Sequence, residues 1–356
     1  MKFDADAFAE RWRAQVVAAD EGAAHAARAR IDQLTKPVGS LGRIEELAVR
    51  LAAMHGAIPS HVFERRAVLV AAADHGVAAD GVSAYPSDVT AQMVAAFLAE
   101  IAAINAFSRA VHAEVFVADF GVRTQSGAHP RLIDARCGAG TANLAHGDAI
   151  AHEDIGTVIG AGIAAFEELQ RRVPFDVLAL GEMGIGNTTS AAAIVAALTG
   201  RAPRDVVGRG TGIDDARLQR KIAVVEGALV RVGTTTWDRV ASAVGGFEIV
   251  GLAGVMLAAA RARVPIVLDG YIVSAAALIA AAIVPAVLDY CIAAHRSREP
   301  GHQIALDALG LQPLLSFDLA LGEATGAALA LPIIEAAARM MCEMRTFAEA
   351  GVSTQA

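Results

Sequence analysis

The sequence predicts an α/β protein built on a parallel sheet, and three observations carry that prediction. From about residue 67 onward, short aliphatic runs that each stop at an acid alternate with helical stretches, the pattern of strands joined by crossover helices. The chain is 55% hydrophobic and only 5% aromatic, so Ala, Val, Leu and Ile must fill its interior, as they do in buried parallel strands and closely packed helices. Its 356 residues suffice for one large α/β core with an appendage.

In chain order, residues 5 to 30 are rich in Ala, Glu and Arg and read as helix. A second helix spans 41 to 55, following "TKPVGS" with Ser40 placed to cap it. The strand-like runs come next: "AVLVAAADHG", "EVFVADFG", "DVLALGEMG", "PIVLDG" and "LLSFDLALGE". Their acids are Asp74, Asp119, Glu182, Asp269 and Glu323. In a parallel sheet the carboxyl ends of the strands share one rim, where ligands bind. Each acid alone is as readily a helix cap or a loop residue, but five together favour a site. Residues 270 to 288 carry no charge and approach the length of a membrane span. Their Gly, Ser and Pro, and the flanking Asp269 and Asp289 in place of Lys or Arg, make them a buried helix instead. The last 30 residues read as helix that packs against the N-terminal helices.

Composition also bears on partners. A net charge of -8 with few aromatics argues against binding a phosphate backbone. The charged N-terminus lacks a secretory apolar stretch, and Cys137, Cys291 and Cys342 form no paired motif, so a cytoplasmic location is expected.

Three loops carry the chemistry. "ALGEMGIGNTTSAAA", 179 to 193, reads as a strand Val177 to Leu180, a turn Gly181 to Asn187, and a helix Ala191 to Leu198 closed by Gly200. Glycines allow close backbone approach, and free N–H groups at a helix start attract anions; the stretch is either a phosphate cradle or a capped junction. It matches neither a Walker loop nor a dinucleotide fingerprint. "VGRGTGIDDARLQRK" sets Arg209 and Lys221 beside Gly208, Gly210 and Gly212, and "HRSREPGH" sets Ser297 and Gly301 among His295, Arg296, Arg298 and His302. Basic groups beside permissive turns suit a phosphate or carboxylate, and together the loops point to a phosphorylated small molecule. "HGDAIAHED" offers possible metal ligands without a ligating spacing and reads as an exposed loop, so no metal is expected. Asp74 and His75 read either as a catalytic dyad or as a structural pair. The Leu-Gly-Glu turn at 180 to 182 recurs at 321 to 323, by chance or as two strand ends serving one pocket.

With these segments in place, the chain resembles the nicotinate-nucleotide:dimethylbenzimidazole phosphoribosyltransferases. The resemblance rests on "TKPVGSLGRIEELA", "AADHGV", "YPSDVTAQMV", "ALGEMGIGNTTSAAA", "GRGTGIDD" with Lys221, "GGFEI", "LDGYI", "HRSREPGH" and "LALGEATGAAL", in family order from residue 35 to about 330. It implies a Rossmann-like parallel sheet flanked by helices (61–325), a smaller helical domain from both chain termini (1–60 and 326–356), and a homodimer without metal or organic cofactor. It also implies transfer of a 5-phosphoribosyl group from nicotinate mononucleotide to 5,6-dimethylbenzimidazole. The family's general base falls on Glu323. Its nucleotide-binding positions fall on Glu182, Gly184, Gly186, Asn187, Thr188, Gly210, Lys221, Ser297 and Gly301, and its benzimidazole-binding segment on Tyr85, Gln92 and Met93.

That chemistry suits the residue types. A pyridinium already carries positive charge and leaves as a neutral ring, so departure needs no general acid. The attacking benzimidazole must lose its N–H, for which one carboxylate suffices. An apolar pocket would raise the pKa of Glu323 and make it a better base, while Glu182 would stabilise positive charge on the ribose or hold its hydroxyls. A magnesium-dependent enzyme using phosphoribosyl pyrophosphate would place two adjacent acids after a strand, whereas Asp214 and Asp215 follow a glycine loop. A nucleotide hydrolase and a non-catalytic nucleotide-binding protein on the same fold are the other readings.

Overall fold

The computed structural model describes residues 3–233 and 235–353. The chain opens with α1 (Ala5–Arg13), α2 (Glu21–Ile31) and α3 (Arg43–His55). The helical stretch expected over 5 to 30 divides into two helices, because Asp20 accepts the N–H of Ala23 at 2.8 Å and starts the second. Ser40 does not cap α3; Gly42 takes the cap position, and the acid of Glu45 receives the N–H of Leu41.

Alternation then begins with β1 (Arg66–Ala73), α4 (Asp88–Leu98), α5 (Ala103–Ala110), β2 (Ala113–Gly121), β3 (Leu132–Asp134) and α6 (Ile155–Arg172). It continues through β4 (Val177–Met183), α7 (Asn187–Thr199), α8 (Pro203–Val206), α9 (Asp215–Val232), α10 (Trp237–Val244), α11 (Phe247–Arg261) and β5 (Ile266–Leu268). The chain closes with α12 (Tyr271–Ile283), β6 (Cys291–Ala293), α13 (Pro300–Leu309), α14 (Thr325–Glu343) and α15 (Phe347–Ala350).

The strands form one sheet in the order β3-β2-β1-β4-β5-β6, and every pairing is parallel. This is the doubly wound order whose direction reverses between β1 and β4, leaving a crevice at their carboxyl ends. β1, buried over its whole length, is Val- and Ala-rich because both its faces are covered. α11 is buried from Phe247 to Ala260, as a helix apolar all round must be, and each large side chain it removes from water contributes about 1.5–3 kcal/mol. It lies so close to α6 that a Cβ on Gly162 would strike the carbonyl of Gly251, and one on Gly254 the carbonyl of Ile159.

The fifth expected strand, "LLSFDLALGE", is not one. β6, which was not among the strands read from the sequence, takes the sheet edge, and 314–319 runs alongside the segment that follows it. Leu315 N bonds Ala294 O at 2.9 Å and Arg298 N bonds Leu319 O at 3.0 Å, but Phe317 is 63% exposed. With one face in water, the run lacks the packing that a strand needs. The apolar stretch after Gly270 is the buried α12, as expected. Asp88–Ala110 and Thr325–Glu343 are also long and apolar enough to cross a membrane, but the first is divided between α4 and α5 and the second is mostly buried within the fold. The chain ends meet: α14 packs on α3 and α2, Thr35 N bonds Arg345 O at 3.0 Å, and Phe347 N bonds Gln33 O at 2.9 Å. α14 also packs on α5, β4 and β5.

Candidate active site

The site lies at the carboxyl ends of β4 and β5. β4 runs further than expected, through Gly181 and Glu182 to Met183, because Gly181 and Glu182 stay in register with Val70 and Ala71 of β1. A tight turn follows, closed by Asn187 N to Gly184 O at 3.1 Å. Its Gly186, at φ 98°, occupies backbone space that favours glycine. α7 then starts without a side-chain cap; Asn187 N and Thr189 N bond Gly184 O and Gly186 O at 3.1 and 3.0 Å, so the Thr188 N–H between them is the one presented to an anion. Thr90 Oγ1 accepts the N–H of Ile185 at 3.1 Å, so α4 is anchored to this turn.

Glu182 is 6% exposed and its Oε2 accepts from the Asn187 amide. Burial first, then Glu248 and Asp269, push its pKa well above the usual carboxylate range, against the pull of Asn187. The second Leu-Gly-Glu turn folds onto the first: Glu323 N donates to Glu182 O at 3.3 Å, and a Cβ on Gly322 would collide with Glu182 Oε1. The two echoed motifs therefore serve one pocket. Glu323 sits on a loop rather than at a strand end, and the chain turns there with Glu323 at φ 63° and Ala324 at φ 68°. Left-handed conformations of this kind at non-glycine residues cost about 1–3 kcal/mol and persist where the surroundings enforce them. Asp269 supplies that enforcement, accepting the N–H of Ala324 at 3.2 Å and of Ala327 at 3.0 Å. Glu323 is 5% exposed, its Oε2 has no partner, and burial together with the Asp269 charge raises its pKa to about 7. Such a carboxyl serves as a general base near neutral pH.

An anion cradle adjoins the acids. Lys221, fully buried, donates to Thr188 Oγ1 at 2.7 Å and Gly208 O at 3.1 Å. Burial lowers its pKa to about 8 against the opposing pull of Glu299. Ser297 is fixed by its N–H to His302 Nδ1 at 2.9 Å, and burial beside His295 drops the His302 pKa to about 3, so that ring is a neutral strut. His295 lies 3.6 Å from Asp269 Oδ1. The cavity between these groups measures about 100 Å³ and is lined by Glu182, Gly184, Asn187, Thr188, Gly210 and Ser297, among others.

Neither Glu323 nor Lys221 lines the cavity: Glu323 follows the lining residue Gly322, and Lys221 reaches the lining through its bond to Thr188. Gly186 and Gly301 support from outside the lining; a Cβ on Gly301 would strike the Tyr271 hydroxyl, which donates to Val206 O at 2.9 Å. Tyr85 and Gln92 are exposed and Met93 half-buried, and none of the three reaches the cavity lining. Arg209 is paired with Asp215, and Arg296 and Arg298 face solvent. His152 pairs with Asp238 at 2.8 Å, and no cluster of three metal-ligating side chains occurs among the described residues. His75 Nε2 lies 2.7 Å from Glu248 Oε1, both fully buried, in a structural arrangement behind Gly184. Sequence reasoning passed over Glu248 and Glu299, although both lie inside quoted segments; their being acids among glycines was the available signal.

A doubly wound sheet with buried carboxyls and an anion cradle beside its switch point is the framework of a group-transfer enzyme acting on a phosphorylated ligand, and the family model described as Phosphoribosyltransferase matches residues 16–352. Curated relatives named nicotinate-nucleotide--dimethylbenzimidazole phosphoribosyltransferase include one from Chloroflexus aggregans, 52% identical over 94% of this chain and 95% of its own. One from Thermus thermophilus is 50% identical over 92% of this chain and 97% of its own. The crystal structure of CobT from Thermus thermophilus superposes with a TM-score of 0.90 at 50% identity, covering 94% of this chain and all of that one. The chain belongs to the nicotinate-nucleotide--dimethylbenzimidazole phosphoribosyltransferase family.

Proposed function

We propose that the chain transfers the 5-phosphoribosyl group of nicotinate mononucleotide to 5,6-dimethylbenzimidazole, giving α-ribazole 5'-phosphate and nicotinate, in assembly of the cobalamin lower ligand. The observation that carries this reading is Glu323, a buried carboxyl with a free Oε2 and a pKa near 7, set beside an anion cradle. The phosphate rests against the α7 N-terminus, Thr188, Gly210, Lys221 and Ser297, with Gly184, Gly186, Asn187 and Gly301 shaping the turns. Nicotinate leaves as a neutral ring; the benzimidazole nitrogen attacks the opposite face, inverting a β- to an α-linkage, and Glu323 takes the proton from its other nitrogen. Glu182 faces the ribose and, with its pKa held well above the usual carboxylate range by burial and the neighbouring acids, holds the ribose hydroxyls as a neutral acid.

Tyr85, Gln92 and Met93 hold the acceptor once the loops part. In support, Ser83 and Ala84 contact Thr211 Oγ1 at 3.4 and 3.3 Å, so the segment before α4 borders the cradle. On this reading residues 1–60 and 326–356 form a helical domain beside the catalytic one. Exposed Val38, Leu41, Phe317 and Leu321 support a homodimer, to be checked by light scattering. The free thiols support a cytoplasmic location.

The deciding experiment mixes purified protein with nicotinate mononucleotide and 5,6-dimethylbenzimidazole and follows products by chromatography and mass spectrometry. Equal amounts of α-ribazole 5'-phosphate and nicotinate are expected. Nicotinate alone would make the protein a hydrolase, and binding without turnover would make it a carrier.

A further inference from the structure

Glu299 is an acid in a place built for an anion. It occupies the N-cap position of α13, and its side chain makes no bond to that helix. It reaches across to the second glycine loop instead, where Oε1 accepts the N–H of Gly210 at 2.9 Å. Oε2 is buried without a partner, and a Cβ on Gly208 would overlap it, so the loop is shaped around the carboxylate tip. The Glu299 backbone is fixed independently: its N–H reaches Ser297 Oγ at 3.3 Å, and its carbonyl accepts from His302 N at 3.0 Å. The buried Lys221 and Tyr271 both feel its charge: burial lowers the Lys221 pKa to about 8 and Glu299 opposes that, while burial raises the Tyr271 pKa and Glu299 adds to it.

We infer that the Glu299 carboxylate is an internal surrogate for the substrate phosphate, filling the anion position at Gly210 in the free enzyme and yielding it when a phosphate monoester binds. A buried ammonium left alone is unfavourable. A resident carboxylate beside Lys221 offsets that in the free protein, and the Gly210 N–H is kept paired. The exchange has a consequence for selectivity. A phosphate brings charge and several acceptors to replace what the carboxylate gives up, whereas a neutral nucleoside brings neither, so competition with Glu299 selects ligands that carry the phosphate.

This rests on the reading that the Gly208–Gly212 loop and Lys221 hold the nucleotide phosphate. The test titrates inorganic phosphate into the full-length protein by calorimetry, comparing wild type, Glu299→Gln and Lys221→Met, and measures the KM for nicotinate mononucleotide in wild type and Glu299→Gln. Glutamine preserves shape and can still accept from Gly210 but cannot compete as an anion. Phosphate is therefore expected to bind about tenfold more tightly to Glu299→Gln, as when a competing state is removed, with a parallel fall in KM. A clamp that merely held the loop would give equal or weaker phosphate binding and an unchanged or higher KM, and either result would overturn the inference. If Lys221→Met binds phosphate as wild type does, the anion sits elsewhere and the reading of the cradle itself fails. If Lys221→Met loses binding while Glu299→Gln gains none, only the role given to Glu299 fails.

Discussion

A carboxyl whose pKa lies near 7 is about half ionised at neutral pH, and only its ionised form can accept the acceptor's proton. Burial and the Asp269 charge put Glu323 in that state, so kcat/KM should rise with pH through about 7; a profile flat from pH 5 to 8 would remove Glu323 as the titrating base. Glu323→Gln should still bind nicotinate mononucleotide, measured calorimetrically, while turnover falls by about 10²–10⁴, the usual range for general-base catalysis. The same shift has a sign in stability. Because the folded pKa lies above the ordinary 4.5, the native state holds more protons between those values and loses stability as pH rises across that window. Glu323→Gln should therefore raise Tm at pH 8, and the gain should shrink towards pH 4, as seen by thermal denaturation; an equal gain at both would locate the effect in packing. Glu323 and Glu182 could be named from the sequence because each is the acid that ends an aliphatic run and the family resemblance assigns a role to both. Glu299 could not, since its significance lies in a hydrogen bond to a glycine 89 positions away.

The aliphatic runs that became β1, β2, β4 and β5 were legible because each is a dense apolar stretch stopped by an acid. β3 and β6 were not: like β5, each spans three residues, too short for periodicity to register, and only β5 was named, from the apolar run that stops at Asp269; tertiary pairing makes the other two strands. The run at 314–323 reads as strand and is loop, since a composition rich in Leu and Phe does not reveal that Phe317 and Leu321 face solvent. Helix contacts show the same division. That helical stretches alternate with the strand runs is legible in the sequence, but the role of Gly162 is not, until a Cβ there is seen to meet the Gly251 carbonyl. Gly162→Leu should push the two helices apart and destabilise the protein by about 1–3 kcal/mol or more, the range for overpacking. Urea denaturation would register this as a lower midpoint, and an unchanged midpoint would mean that the contact relaxes freely.

At the scale of the whole molecule, the cavity is too small for its task. About 100 Å³ falls short of the roughly 300–1,000 Å³ that small-molecule sites occupy, and a nucleotide and a bicyclic acceptor must share it. The sheet cannot enlarge the site, because β1, β4 and β5 are buried and bonded on both sides. Opening must come from the segments over the strand ends: Ser83 to Tyr85, Gly208 to Gly212, and Ser316 to Gly322. Their mutual ties are slight, the Ser83–Thr211 contact reaching only 3.4 Å, and Leu321 at the mouth is 57% exposed. Binding should draw these segments onto the ligand while leaving the layers beneath as they are. Hydrogen exchange followed by mass spectrometry should accordingly show slowed amides at 209–212 and 319–322 when nicotinate mononucleotide is added, and no change along α11. Further slowing at 83–93 should appear when 5,6-dimethylbenzimidazole is added in the presence of nicotinate, the departed ring. Protection confined to 209–212 would leave the acceptor without a closing wall and detach Tyr85, Gln92 and Met93 from the site, while protection elsewhere on the molecule would move the site away from the strand ends altogether.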